Sequence, residues 1–155
     1  MQVQDLMTRN PITCSTDAKL PELARLMVEY DCGEIPLYER GDSKRIVGVV
    51  TDRDIVCRGV AGGEGIFALS ARQIMTSPAI SVRPDDPIET AVEMMARKQV
   101  RRLPVVDGDG VCVGMISEGD VAQRVSPALG AGLEHSITRS PQVVRRHEGG
   151  HDETR

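Results

Sequence analysis

Apolar residues recur along this chain in two rhythms. Leu20, Leu23, Ala24 and Met27 fall at the spacing of one helix face, and Ile88, Ala91, Val92 and Met95 fall at the same spacing. The second of these predicted helices has a marked start, with Asp86 as N-cap, Pro87 at the first helical position and Glu89 at the third. Between and after the helices lie short apolar runs bounded by turn residues. "EIPLYE" (34–39) and "RIVGVVT" (45–51) read as strands joined by "RGDSK"; "RLPVVD" (102–107) and "VCVGMIS" (111–117) read as strands joined across "GDG". A final helix is predicted after each pair, beginning at "TDRD" (51–54) and at "SEGD" (117–120).

The same order of elements thus occurs twice, and the residues repeat with it. At an offset of 68, Met7 and Thr8 fall on Met75 and Thr76, Ile12 on Ile80, Asp17 on Asp85, Met27 on Met95 and Pro36 on Pro104. After residue 37 the offset becomes 66, and Val47, Gly48, Asp54 and Arg58 fall on Val113, Gly114, Asp120 and Arg124. Each unit is a lead-in strand, a helix, a hairpin and a helix. Units of about 50 residues bury little alone, so two copies stacked sheet on sheet are expected to share a core. The predicted boundaries are 1–60 for the first repeat, 61–73 for a glycine-containing linker and 74–125 for the second repeat. Residues 126–155 form the remainder, a short helix ("SPALGAGLEHSI") and a polar, flexible tail.

Composition narrows the function. Tyr30, Tyr38 and Phe67 are the only aromatic residues, so the core must be aliphatic. Nineteen basic against 23 acidic side chains give a net charge of −4, which argues against nucleic acid as a partner. No apolar run reaches the roughly 18 residues of a membrane span, and no secretory signal opens the chain, so the expectation is a cytoplasmic protein. Cys14, Cys32, Cys57 and Cys112 form no CxxC pair and read as small buried apolar residues. The three histidines, His135, His147 and His151, all lie in the tail, so no metal site is expected. The predicted folded region holds no histidine and no nucleophile–base pair, hence no catalytic residue and no enzyme.

The charged stretches "VVTDRDIV" (49–56) and "MISEGDVA" (115–122) break this apolar background. Helix capping is one account of them. Thr51 and Ser117 stand where an N-cap hydroxyl belongs, and Asp54 and Asp120 occupy the third position of a capping box. The second account adds a ligand. Gly48 and Gly114 would let a flat group approach the strand, and a short carboxylate can accept two hydrogen bonds from the vicinal diol of a ribose. The adjacent hydroxyl would support the sugar or a phosphate.

These residues resemble a known family, the CBS-domain pair or Bateman module, of stand-alone bacterial type. "GVVTDRD" (48–54) and "GMISEGD" (114–120) are similar to its ribose signature. "DLMT" (5–8) and "QIMT" (73–76) resemble the start of each unit, and "EIPLYE" and "RRLPVVD" its Pro-containing strand. The resemblance covers residues 5–125 and implies an α/β fold of tandem repeats packed sheet to sheet about a pseudo-twofold axis. It further implies two clefts for an adenosyl ligand: AMP, ADP, ATP, S-adenosylmethionine or NAD(H), with no cofactor required. Carried over residue by residue, Asp54, Asp120, Thr51 and Ser117 would hold ribose, and Ile12, Ile35, Ile80 and Leu103 would surround adenine. A homodimer acting on an unidentified effector protein is the implied assembly.

The repeats differ in charge before the Pro-containing strand. The second has Arg101 and Arg102 where the first has Gly33 and Glu34. Guanidinium groups suit phosphate, so the cleft nearer Arg101 and Arg102 is expected to take a phosphorylated ligand, unless these arginines are simply a solvated helix end. Arg53 is a weaker candidate, because Gly119 replaces it in the second repeat. Two other functions compete with ligand sensing: a dimerising scaffold with inactive clefts, and a thiol redox protein.

Overall fold

The structure, a computed structural model, describes residues 1–41, 44–63 and 65–124. It is a mixed α/β arrangement of two three-stranded sheets, each carrying helices. In chain order the elements are α1 (Val3–Leu6), β1 (Thr8–Arg9), β2 (Cys14–Ser15), α2 (Leu20–Glu29), β3 (Glu34–Tyr38) and β4 (Ile46–Thr51). A short α3 (Asp52–Asp54) passes into a π-helical turn, Ile55–Val60. Then come α4 (Ala71–Ile74), α5 (Ile88–Lys98), β5 (Arg102–Val106), β6 (Cys112–Ser117) and α6 (Glu118–Arg124). The expected tail helix and the three histidines lie outside the described residues.

The helices form where the apolar spacing places them, with two adjustments. In α2 the buried residues are Leu20, Leu23 and Met27, while Ala24, expected on that face, is exposed. Leu26 completes the apolar contact instead. In α5, Ile88, Ala91 and Met95 are buried. This helix begins one residue later than predicted, with Pro87 as its N-cap in an extended conformation. Asp86 does not cap it: its Oδ2 accepts the Arg83 N–H at 2.7 Å, closing the preceding turn.

The two hairpins are built alike. Leu37 pairs with Gly48 and Val105 with Gly114, and each ladder shifts register at the next residue. In the short second turn, Gly110 takes a φ of +81°, and Asp107 Oδ1 accepts the N–H groups of Asp109 and Val111 at 3.0 and 2.9 Å.

The lead-in segments do not stay with their own repeats. β1 pairs with β6, giving the sheet order β1-β6-β5, whereas the other sheet is β2-β3-β4. Val3, Leu6 and Met7 share a core with Ile88, Met95, Leu103, Ile116 and Val121 of the second repeat. In return Ala71, Ile74 and Met75 pack on Leu20, Leu23, Ile35, Leu37 and Val50 of the first. Thr76 and Val49 exchange backbone hydrogen bonds of 3.0 and 2.9 Å. α4 begins inside the segment read as a linker. Each half is completed by the strip that precedes the other.

This crossing explains two glycines that had been assigned to ligand approach. A Cβ on Gly48 would lie 2.8 Å from the Thr76 carbonyl oxygen and 2.9 Å from Met75 Sδ. A Cβ on Gly114 would collide with Met7 Sδ and lie 3.2 Å from the Thr8 carbonyl oxygen. Both glycines make room for a lead-in backbone rather than for a ligand.

Candidate functional site

The site begins at the two strand-to-helix junctions. In the first repeat, Thr51 Oγ1 accepts the Asp54 N–H at 3.1 Å, and Asp54 Oδ2 accepts both the Thr51 N–H and its hydroxyl at 2.9 Å. The second repeat reproduces this. Ser117 Oγ accepts the Asp120 N–H at 3.2 Å, and Asp120 Oδ2 accepts the Ser117 N–H at 2.8 Å and hydroxyl at 2.6 Å. Aspartate is therefore long enough to close the capping box, and capping accounts for the residue types by itself. The closed box also fixes the orientation of each carboxylate, whose other oxygen stays outside it.

The surroundings of the two carboxylates differ. Asp54 Oδ1 lies 3.5 Å from Arg58 Nε, and the Asp54 side chain is only 13% exposed. Arg58 Nη1 donates to the Ile74 carbonyl at 2.9 Å, the Met75 carbonyl at 3.3 Å and Thr76 Oγ1 at 3.2 Å, tying the cap to the crossing lead-in. Asp120 lines a cleft of about 310 Å³. The second repeat contributes Arg102, Met115, Ser117 and Asp120 to that cleft. The β1 lead-in and the loop after it contribute Thr8, Asn10, Pro11 and Ile12. The end of α2 and the start of β3 contribute Tyr30, Asp31, Cys32 and Glu34.

Of the residues singled out from the sequence, Ser117, Asp120, Arg102 and Ile12 come together here. Thr51 and Asp54 belong to the other junction. Ile35 and Leu103, at 0% and 1% exposure, are core residues with no surface to offer a base. Ile80 packs beside the second core. Arg101 is exposed and lies 4.0 Å from Glu118, and Arg53 is exposed on α3. Asn10 and Asp31, both at positive φ, are cleft residues that sequence reasoning passed over. The Asn10–Pro11 pair was a visible turn signal directly after the lead-in.

Glu34 and Arg102, which come from different repeats, line the same cleft. They hold equivalent positions, Glu34 opposite Thr51 and Arg102 opposite Ser117. Burial pushes the Glu34 carboxyl up to about 7, against the pull of the Arg102 charge, and Asp54 pushes it in the same upward direction. Burial also raises the thiols of Cys14 and Cys32, and that of Cys112 to about 11.

A CBS domain family model matches residues 3–58 and 71–127, so it covers both repeats. The chain belongs to the CBS domain family. Its CBS pair is 38% identical over 134 residues to the CBS domain-containing protein YhcV of Bacillus subtilis, spanning 84% of this chain and 91% of that one. It is 30% identical over 141 residues to hypoxic response protein 1 of Mycobacterium tuberculosis, spanning 91% of this chain and 92% of the other. Among solved structures it is similar to CBS domain protein PAE2072 from Pyrobaculum aerophilum, complexed with AMP. That likeness has a TM-score of 0.74 and 30% identity, over 87% of this chain and 99% of that one. Among the described residues of this CBS pair, no helix is long and apolar enough to cross a membrane. Nor do three or more His, Cys, Asp or Glu side chains there form a group that could hold a metal ion.

Proposed function

We propose that this CBS pair is a regulatory module that binds an adenosine-containing ligand in the cleft lined by Ser117 and Asp120. The observation that carries this reading is the make-up of the cleft. An oriented carboxylate–hydroxyl pair from one repeat faces the apolar Pro11 and Ile12 of the other repeat's lead-in. Ribose hydroxyls bind the Asp120 carboxylate beside Ser117, the base lies against Ile12, Pro11 and Met115, and Arg102 is a cation within reach of what the ribose carries. The AMP complex of PAE2072 supports the ligand class. Because the cleft draws on three segments of chain, a ligand there links the first repeat, its lead-in and the second repeat. That is how binding becomes a signal for an effector protein. The Asp54 and Thr51 junction is the equivalent site of the first repeat.

The homodimer belongs to the same proposal. Val28 on α2 and Val56 and Val60 on the π turn are 84%, 59% and 56% exposed, on elements that pack together. A second copy covering this face would remove that apolar surface from water. Burial makes Cys14, Cys32 and Cys112 poorer sources of thiolate, which weighs against redox chemistry at these three thiols.

A thermal-shift titration with adenosine, AMP, ATP, S-adenosylmethionine and NADH tests the reading. A ligand at about 100 times its Kd adds about 2.7 kcal/mol, several degrees for a domain of this size. Asp120→Ala is expected to remove the part of the shift that comes from this cleft. A flat response of the wild-type protein to the whole panel would leave a dimerising scaffold as the better account.

A further inference from the structure

Glu34 and Arg102 occupy the first positions of β3 and β5, so the repeat places them at corresponding points of the two halves. Both side chains line the Asp120 cleft, whose lining also holds the carboxylates of Asp31 and Asp120. A Cβ on Gly33 would lie 3.2 Å from Arg102 Nη1, so the Arg102 guanidinium reaches across to the backbone just before Glu34. The apolar members of the cleft suit a base. The charged members are left for the ribose and its 5′ substituent.

Resting on the adenosyl reading above, we propose that Glu34 is a specificity-determining residue of this cleft. It disfavours a 5′-phosphate and admits adenosyl ligands whose 5′ substituent is neutral or cationic. With Glu34 ionised, an incoming phosphate meets three carboxylates in the cleft lining, and like-charge juxtaposition is the usual means of rejecting a near-identical ligand. The groups facing Glu34 are Arg102 of β5, Asp54 of α3 and Cys112 of β6, together with the cleft carboxylates Asp31 and Asp120. Burial holds the Glu34 carboxyl up near 7, so its charge changes across the neutral range.

The experiment is calorimetric titration of adenosine and AMP into the wild-type protein and Glu34→Gln, at about pH 6 and about pH 8. Glu34→Gln is expected to bind AMP about tenfold more tightly at the higher pH while adenosine affinity changes less than about twofold. The variant's advantage for AMP should shrink at the lower pH, where wild-type Glu34 is itself mostly protonated. The phosphate's own titration is common to both proteins and cancels in the comparison. An unchanged ratio of AMP to adenosine affinity in Glu34→Gln would overturn the assignment. Should the variant fold poorly, the wild type's preference for adenosine over the methyl ester of AMP, whose phosphate keeps one charge across this range, must still grow with pH, and a preference that stays flat overturns it as well. Failure of wild type to bind adenosine at all would instead remove the adenosyl reading on which this rests.

Discussion

In the first repeat the last helix leaves its α geometry after Asp54 and runs through a π turn. In the second repeat, Glu118–Arg124 is a single α-helix and Asp120 looks into a cleft. Gly59, buried in the π turn, belongs to the difference. A Cβ there would lie 2.8 Å from Leu20 Cδ1, so the turn packs closely on α2. The capping boxes are nevertheless the same to within a few tenths of an ångström. Duplication has kept the backbone device that orients an aspartate while the head of the Pro-containing strand carries Glu34 in one repeat and Arg102 in the other. Backbone architecture and local charge therefore change independently in this chain.

The comparison can be broken most directly at the lead-ins. Leu6→Ala removes a side chain that lies in the second repeat's core although it sits at the start of the first. A loss of about 2–4 kcal/mol is expected by chemical denaturation. Native-state hydrogen exchange should show lost protection in β5 and β6 before β3 and β4, and the reverse order would contradict the exchange of lead-ins. Next in size are the crossing glycines. Gly48→Ala is expected to cost about 2–3 kcal/mol, because Thr76 is held by backbone bonds, and Gly114→Ala about 1 kcal/mol, because Met7 can turn aside. Equal costs would mean that the two crossings are equally tight.

Glu34→Gln sharpens the charge difference. A carboxyl raised by folding favours the folded state less and less as pH climbs from its ordinary value of 4.5 through about 7. The variant should therefore be more stable than wild type by about 1–2 kcal/mol at about pH 8, and the gain should vanish below about pH 4. Urea denaturation at several pH values reads this directly. The smallest effect belongs to Arg72, which forks onto both Glu39 oxygens at 2.7 and 2.6 Å and donates to Thr16 Oγ1 at 2.7 Å. This pairing holds the Glu39 carboxyl below its ordinary value. Arg72→Ala should lower stability slightly at neutral pH, and the difference from wild type should fade as acid protonates Glu39. A difference independent of pH would assign the arginine a packing role instead.

Local features were legible in the sequence. The hairpins, the capping boxes and the duplicated order depend on nearby residues, and strands Glu34–Tyr38 and Arg102–Val106 fall within a residue of their predicted ends. What was hidden depends on which surface meets which. The apolar Val3 and Leu6 announce burial but not the core that receives them. Gly48 and Gly114 announce a close approach but not whether ligand or chain makes it. Ile35 and Leu103 flank the site in sequence yet point into the cores. Glu34 and Arg102 stand in different repeats of the sequence, and only the fold brings them to one cleft.

The swapped lead-ins leave no place where the chain can be divided into two self-sufficient pieces. A break in the turn at Gly62 and Gly63 would give one fragment still carrying the second sheet's outer strand, and another still carrying the helix that seals the first core. Such fragments would be sticky alone and complementary together, so mixing them would reconstitute the molecule. The tether between the halves then works chiefly by raising their effective concentration.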